Sequence, residues 1–417
     1  MKKYKAKDLY NSINNNFTCP SCENDLRLLV SRILNELAIV RCQSCKKVFI
    51  IILPKIKKKS IYLDQWFVSN ISDPDKMEYY EKLIHKLGVL TKKQRIFVVT
   101  SDVHALETSN IKQSDKKKTI WEKFNSLACG HIAKDTTDIL LQQYKRILLK
   151  EKENYPWSDI LDKNPHQWVS WPKVILTNNW RLRLHEKTDT PYEKVNELYR
   201  TILENQTNGI NQKSSQLECF DYINKLWFED ILKSVDYYEK KSYLVTHPEQ
   251  IDKSFFDHPG APICSAFTAP LIELCTNYDK SLSHDDVIKL LKETDTLPKK
   301  INISSSLEAY KLFSALQANL NKTGVTKNKK KFSTKYGVSS QNDISHIASF
   351  SPYVDVLITD DNARERLKQS HIQAQLTDIQ CCFYSHSNIR EFEELLDKLL
   401  SSKENYEFKI TRQLLIG

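Results

Sequence analysis

The chain has 417 residues, of which 40% are hydrophobic and 27% are charged, so it is long enough for two or three domains with a sizeable core. Its apolar runs are all shorter than the roughly 18 residues that indicate a membrane-spanning helix. No apolar segment follows the basic N-terminus, which argues against a signal peptide. These features exclude a membrane-embedded class and predict a cytoplasmic protein without a membrane partner.

Positive charge is concentrated at the start of the chain. The formal net charge is +10, and residues 1–60, with 13 Lys or Arg and 4 Asp or Glu, have a net charge of +9. No basic amphipathic helix accompanies this charge, so a polyanion is expected as partner, nucleic acid rather than membrane. The plainer alternative is a solvated basic surface.

Four of the ten cysteines form two CxxC pairs, Cys19 with Cys22 and Cys42 with Cys45. Each such turn presents two thiolates to one ion, and two turns complete a tetrahedral zinc site. The apolar segments between and after the pairs are typical of strands. The pattern therefore resembles a zinc ribbon over residues 1–58. A closed four-sulfur site has no open position, so we expect this zinc to be structural.

Residues 55–59, which include four lysines, form a basic linker between this module and the next predicted strand. Because the strand leads directly to Asp64, these lysines are predicted to sit beside any site that Asp64 forms. They either hold phosphates there or remain solvated, and the sequence leaves both roles open.

Three short apolar segments that are typical of strands are each followed by acidic residues. The segments cover residues 60–63, 95–100 and 354–359, and the acids that follow them are Asp64, Glu107, Asp360 and Asp361. Parallel strands end at one edge of their sheet, where sites form. Carboxylates gathered at such an edge repel one another unless a cation lies between them, which predicts a magnesium or manganese site.

The segments between these strands have helical periodicity, which predicts a doubly wound, mostly parallel α/β sheet. The halves of the sheet are expected at about 59–125 and 336–417, with a helical insertion at about 126–335. Asp343 opens a short helix after that insertion, and capping is its alternative role. The chain has seven glycines and neither phosphate-binding glycine motif, which argues against nucleotide cofactors.

Four stretches together resemble the successive acidic motifs of PIN-domain nucleases: residues 62–65 (Tyr-Leu-Asp-Gln), 101–107 (Ser-Asp-Val-His-Ala-Leu-Glu), 342–348 (Asn-Asp-Ile-Ser-His-Ile-Ala) and 355–361 (Asp-Val-Leu-Ile-Thr-Asp-Asp). Members of that family are metal-dependent endonucleases, usually on RNA, with three or four acids around one or two magnesium or manganese ions. The resemblance implies a PIN-like nuclease domain over residues 59–417. It departs from compact members because Glu107 and Asp343 are 236 residues apart.

Carried over residue by residue, the resemblance implies that Asp64 is the first-strand aspartate, Glu107 the helix glutamate and Asp343 the aspartate of the late helix. Asp361 fits the last acidic strand, and Asp360 is its rival for that role. The implied function is hydrolysis of phosphodiester bonds, in RNA rather than DNA, by a toxin, an RNA-processing enzyme or a defence nuclease. The ribbon would then bind nucleic acid or a protein partner, and the oligomeric state is left open.

Two residues of the second motif have simpler alternative roles. Glu107 fits equally a surface glutamate favoured by the helix dipole. His104 shares a helix face with Glu107, and a single histidine there is more typical of packing or hydrogen bonding than of metal ligation. For the whole chain, the alternatives to a nuclease are a non-catalytic nucleic-acid-binding or scaffold protein with a degenerate fold, and a phosphohydrolase of small phosphates.

Overall fold

The computed structural model describes residues 2–11, 16–24, 28–34, 36–101, 104, 107–108, 111, 113–129, 131–134, 136–149, 157–161, 165–166, 216–247, 258, 260, 264–293, 343, 346–347, 349–368, 373, 376 and 379–416. The architecture is mixed α/β with a four-stranded all-parallel sheet and helices, as predicted at that level. The chain divides into two compact units. The first comprises residues 1–133, 161–186 and 384–417, and the second comprises residues 134–160 and 187–383.

The described strands, in chain order, are β1 (Lys3–Lys5), β2 (Tyr10–Asn11), β3 (Asn16–Phe17), β4 (Leu28–Leu34), β5 (Leu37–Cys42), β6 (Val48–Ile52), β7 (Lys59–Leu63), β8 (Ile96–Val99), β9 (Val356–Ile358) and β10 (Cys382–Tyr384). The described helices are α1 (Gln65–Ser69), α2 (Met77–Lys92), α3 (Ser114–Ala128), α4 (Thr136–Leu148), α5 (Gln216–Thr246), α6 (Ala269–Tyr278), α7 (His284–Glu293), α8 (Asp361–Leu367), α9 (Ile389–Ser401) and α10 (Tyr406–Ile416). Short 3-10 segments cover Ala6–Leu9, Asn70–Ser72, Trp157–Asp159 and His386–Asn388, and a π-helical segment covers Cys264–Thr268. None of the helices in these ranges is long and apolar enough to span a membrane.

The N-terminal strands form a mixed sheet in the order β1-β6-β5-β4. β1 runs parallel to β6, and the other two pairings are antiparallel. Side chains alternate between a buried and an outward face because successive residues of a strand point to opposite sides. Ala38 and Val40 of β5 and Phe49 and Ile51 of β6 are buried, which places the core of this module on one face of its sheet.

The C-terminal helix α10 covers that buried face. Ile410 and Leu414 of α10 belong to the same apolar cluster as Phe49, Ile51 and Val40 of the sheet. Two ends of the chain that are about 400 residues apart in sequence therefore share one core. The buried face of the N-terminal module is completed by residues that its own sequence does not contain.

A parallel strand pair follows the N-terminal module in the first unit. β7 pairs with β8 in the register Lys59 to Ile96 and Tyr62 to Val99. β8 is buried at every position, as expected for a parallel strand covered on both faces. Helix α2 connects the two strands in sequence, and its buried residues, including Tyr80, Leu83 and Leu87, recur at helical spacing.

Helix α9 packs against α2 in the first unit. The Lys86 ammonium lies 2.8 Å from Glu393 and 2.7 Å from Asp397. Before β8, the Arg95 guanidinium lies 2.9 Å from Glu404, which also pairs with Arg412 of α10. These contacts connect the C-terminal helices to the strand pair.

The second unit has a helical core formed by α4, α5, α6, α7 and the π-helical segment. At its edge, Arg146 and Asp159 form a two-pronged ion pair in which both N···O distances are 2.9 Å. The Tyr353 hydroxyl donates to Asp159 at 3.1 Å and accepts from Gln143 of α4 at 3.3 Å, which places the segment before β9 against α4. Helices α4 to α7 fall within the range where a helical insertion was predicted, while residues 167–215 and 294–335 of that range lie outside the described residues.

Candidate metal centres

The four cysteines of the two CxxC pairs converge on one point. Their sulfur atoms all lie within 4.8 Å of one another. The Cys19 and Cys45 sulfurs are 3.7 Å apart, and the Cys22 and Cys42 sulfurs are 3.9 Å apart. A tetrahedral zinc with bonds of about 2.3 Å to sulfur separates its ligands by about 3.8 Å. The predicted four-cysteine cluster is therefore present, and its geometry could bind zinc.

The two cysteine turns have the same backbone geometry. Glu23 and Lys46, each four residues after the first cysteine of its pair, have φ angles of 58° and 63°. Their N–H groups donate to the carbonyl oxygens of Cys19 and Cys42, both at 3.0 Å. A positive φ is unfavourable for residues with a Cβ atom, and such conformations persist where surrounding interactions hold them. Two equivalent strained turns around four sulfurs are consistent with one ion holding both.

Electrostatics also favour a cation among the four sulfurs. Burial raises the pKa of the Cys19 thiol to about 12, although backbone N–H groups of Ser21 and Cys22 oppose the rise. Burial acts in the same direction at Cys42, but backbone hydrogen bonds from Cys45 and Ser44 outweigh it and the pKa falls to about 6. Because zinc binds thiolates, a bound ion would offset the cost of burying negative charge at Cys19.

Asp64 directly follows β7 and is 8% exposed. It occupies the N-cap position of α1, where its carbonyl oxygen accepts a hydrogen bond from the Phe67 N–H at 3.1 Å. An aspartate at this position commonly uses its side chain to cap the helix. The described start of α1 has no such side-chain bond, so the Asp64 carboxylate is not the cap of this helix.

His104 fixes the backbone just before Asp64. Its Nε2 atom lies 2.6 Å from the carbonyl oxygen of Leu63, and the Ser101 N–H donates to its Nδ1 at 3.0 Å. Since a carbonyl only accepts, Nε2 carries the proton and Nδ1 accepts. Burial lowers the pKa of His104 to about 4, so the ring is neutral at pH 7. Both ring nitrogens of His104 thus take part in hydrogen bonds, which is the kind of role expected for a single histidine on this helix face.

A second hydrogen bond ties the other side of Asp64 to the same segment. The Gln65 side-chain amide donates to the hydroxyl of Thr108, a buried residue, at 3.1 Å. Thr108 directly follows Glu107, and His104 precedes Glu107 by three residues. The residues on both sides of Asp64 are thus bonded to residues on both sides of Glu107. Asp64 and the partly exposed Glu107 lie on adjoining segments of the first unit.

The other three proposed acidic ligands belong to the second unit. Asp360 is the N-cap of α8, and its Oδ1 atom accepts a hydrogen bond from the Ala363 N–H at 2.6 Å. Asp361 is the first residue of α8 and is partly exposed, as is Asp343. One carboxylate oxygen of Asp360 is engaged in capping.

Lys58 of the basic linker does not lie beside Asp64. Lys58 precedes β7 and Asp64 follows it, so six residues of extended chain separate them by about 20 Å. Lys58 is also 2% exposed, and burial lowers its pKa to about 8. The expectation that the linker lysines stand beside Asp64 is therefore wrong for Lys58, because an extended strand carries the chain across the sheet.

Sequence reasoning missed the pairing of Gln65 with Thr108. Each residue adjoins a predicted ligand, but the periodicity of either segment contains no signal that would pair them. Asp102, which lies within the second motif, is outside the described residues.

Comparisons of the chain with protein-family models, with curated proteins and with solved structures found no match.

Proposed function

We propose that the chain is a metal-dependent endonuclease of the PIN-like type that hydrolyses phosphodiester bonds in nucleic acid, RNA rather than DNA. One observation carries the proposal. The hydrogen bonds from His104 to Leu63 and from Gln65 to Thr108 tie Asp64 to the Glu107 segment at the carboxyl end of a parallel strand pair. That edge of a parallel α/β sheet is where ligand sites form.

In this proposal Asp64 and Glu107 supply carboxylate oxygens to magnesium or manganese. Both ions prefer oxygen ligands. Asp343 and Asp361 are the further proposed ligands, and the cap bond of Asp360 makes it the weaker candidate of the adjacent pair. A divalent ion held by carboxylates lowers the pKa of a bound water and stabilises the leaving oxygen of a phosphodiester.

The surroundings of Asp64 suit a carboxylate that must hold one orientation. The His104 ring contacts Tyr62 and Phe124, with ring centroids 4.9 and 4.5 Å away. The Tyr62 hydroxyl lies 2.9 Å from that of Ser101, which closes a buried network around the end of β7. A fixed backbone at this point reduces the reorganisation that ligand binding requires.

The zinc ribbon has a separate role in the proposal. Its four sulfurs leave no open position for substrate, so the ion stabilises the module and takes no part in hydrolysis. The module contributes the positive charge that attracts a polyanion.

The experiment compares the parent with Asp64→Asn on a labelled single-stranded RNA in magnesium or manganese. We expect cleavage to fall by about 100-fold or more, because loss of a metal ligand removes several kcal/mol of transition-state stabilisation. Zinc content, measured in parallel, should stay at the parental level. Asp75→Asn, which changes an exposed aspartate of the same unit, is the matched control and should cleave normally. Undiminished cleavage by Asp64→Asn would remove Asp64 from the mechanism.

A non-catalytic nucleic-acid-binding protein is the second candidate, and the charge of the ribbon favours it independently of the acids. The net charge of +9 in residues 1–60 would bind a polyanion whether or not the acids hold a metal. This candidate predicts salt-sensitive RNA binding without cleavage in either metal. Cleavage that depends on Asp64 would exclude it.

A further inference from the structure

The outward face of the N-terminal sheet differs in character from its buried face. In β5 and β6 the residues at alternate positions, such as Ala38 and Ile51, are buried in the core with α10. The intervening positions point to the opposite side of the sheet. On β1, β6 and β5 the outward positions are Lys3, Lys5, Val48, Ile50, Ile52, Leu37, Ile39 and Arg41, which we call the outer ribbon face.

Strand register places the cations of the outer ribbon face around an aliphatic centre. Lys3 is paired with Ile50, and Lys5 with Ile52. Arg41 is paired with Val48, which is 41% exposed. The face thus has exposed cations on the edge strand β1 and on β5, with β6 between them. None of these eight described positions is acidic.

The position of Arg41 depends on the second cysteine turn. Its Nε atom donates to the carbonyl oxygen of Lys46, at 3.3 Å. Lys46 follows Cys45 and has the positive φ of that turn. The cation on β5 is therefore held by the same backbone that presents two of the four sulfurs.

We propose that the outer ribbon face binds the sugar-phosphate backbone of a single nucleic-acid strand. The inference rests on the proposed function, in that this strand is the substrate, and it names the surface that holds it. Lys3 and Lys5 are two residues apart on one strand, which separates them by about 6.6 Å. Adjacent phosphates of a nucleic-acid strand have a comparable through-space separation, so both ammonium groups can pair with one backbone.

Charge complementarity selects this occupant over a protein. Three cations and no acid among the eight positions attract a regular polyanion, and phosphates supply such a charge at every residue. The nearby Asp8 carboxylate accepts a hydrogen bond from the backbone N–H of Lys5, at 3.2 Å. The aliphatic side chains of β6 between the cations offer apolar surface to sugar and base rings. In the basic linker, Lys57 is exposed, whereas Lys55 lies 3.7 Å from Glu36.

The test measures binding of a fluorescent 20-nucleotide single-stranded RNA to the full chain as the potassium chloride concentration varies. All proteins carry Asp64→Asn and the buffer lacks divalent ions, so that binding is separated from cleavage. The face variant is Lys3→Gln with Lys5→Gln and Arg41→Gln. The control variant removes three exposed cations elsewhere in the first unit, through Lys398→Gln, Lys403→Gln and Lys409→Gln.

A plot of log affinity against log salt concentration has a negative slope, and each lost phosphate contact on a single strand makes that slope shallower by about 0.7. The face variant removes three cations, so its slope should be shallower than that of the parent by about 2. The control should keep the slope of the parent. Equal slopes in the face and control variants, or no RNA binding by the parent, would overturn the proposal. Absence of RNA binding by the parent would indicate a protein as the partner of the outer ribbon face.

Zinc content separates a binding defect from a folding defect. The double variant Lys3→Gln with Lys5→Gln leaves Arg41 and both cysteine turns unchanged, so it should retain zinc. The slope of its log affinity against log salt should be shallower than that of the parent by about 1.4. A double variant that keeps the parental slope would contradict the inference. Failure of the nuclease site is distinguishable, because it would leave cleavage insensitive to Asp64→Asn while the face variants still lost RNA affinity.

Discussion

The Nε2 atom of His104 lies 2.6 Å from the carbonyl oxygen of Leu63, the residue that precedes Asp64. The His104 ring is completely buried and neutral, and it lies in the same segment as Glu107. It thus connects that segment to the end of β7. Because the same ring accepts the Ser101 N–H, it joins the ends of both parallel strands with one side chain. His104 is a positioning residue, and its protonation would break the contact at Nδ1.

Acid should destabilise the first unit through His104. Folding lowers the pKa of His104 from 6.5 to about 4, so the neutral ring contributes its full stability above pH 6.5. That contribution is lost as the pH falls from 6.5 toward 4, and it amounts to about 3 kcal/mol. Thermal unfolding midpoints of the parent, measured between pH 4 and pH 7, should therefore fall steeply on the acid side.

The variant His104→Phe keeps an aromatic ring beside Tyr62 and Phe124 but removes both hydrogen bonds. Its unfolding midpoint should be lower at pH 7, since a buried carbonyl without a partner costs about 1–3 kcal/mol. Its pH dependence over the same interval should be shallower than that of the parent. The exposed residue His85 provides the control, and His85→Gln should retain the parental profile. A parental profile in His104→Phe would assign the acid sensitivity to another group.

The adjacent acids Asp360 and Asp361 should separate into two roles. Asp360→Ala removes the cap bond to Ala363 and should lower the free energy of unfolding by about 1 kcal/mol. Asp361→Asn should leave stability nearly unchanged and reduce metal-dependent cleavage, as the proposed ligand role requires. Urea unfolding and an RNA cleavage assay on both variants measure the two effects. Normal cleavage by Asp361→Asn together with loss of cleavage by a folded Asp360→Ala would reverse the assignment.

Zinc retention should depend on the C-terminal helix. Ile410 of α10 is 1% exposed and belongs to the core of the N-terminal module, together with the buried cysteines Cys19 and Cys42. Ile410→Ala should destabilise that core by about 2–5 kcal/mol and accelerate transfer of zinc to a coloured chelator. The neighbouring Lys409 is exposed, and Lys409→Ala should release zinc at the parental rate. Equal rates for both variants would show that α10 does not support the metal site.

Removal of zinc from the parent provides the reciprocal measurement. If the ribbon and α10 share one core, chelation should expose α10 to limited proteolysis. Two ion pairs outside that core also hold α10 in place. They join Glu404 to Arg95 and to Arg412. Cleavage that appears first within α10 is the expected outcome, and cleavage only within residues 1–60 would contradict it.

Features that depend on short spacings can be predicted from the amino-acid sequence. Two CxxC turns predict four converging sulfurs, because each turn places two thiolates on one side of a tight backbone bend. Alternating apolar residues predict the strands of the ribbon, and short apolar runs predict β7 and β8 with acids at their ends. Helical periodicity likewise predicted helices after β7 and β8, such as α2 and α4. These properties are encoded by neighbours in the chain.

The contacts between distant segments could not be predicted in this way and are known from the folded structure. The pairing of Gln65 with Thr108, the cover that α10 provides for the ribbon and the burial of Lys58 depend on strand register and on packing. Lys58 illustrates the difference, since it is close to Asp64 in sequence and about 20 Å from it along an extended strand. Local periodicity sets the direction of a side chain, whereas the partner that it meets is set by contacts between residues far apart in the chain.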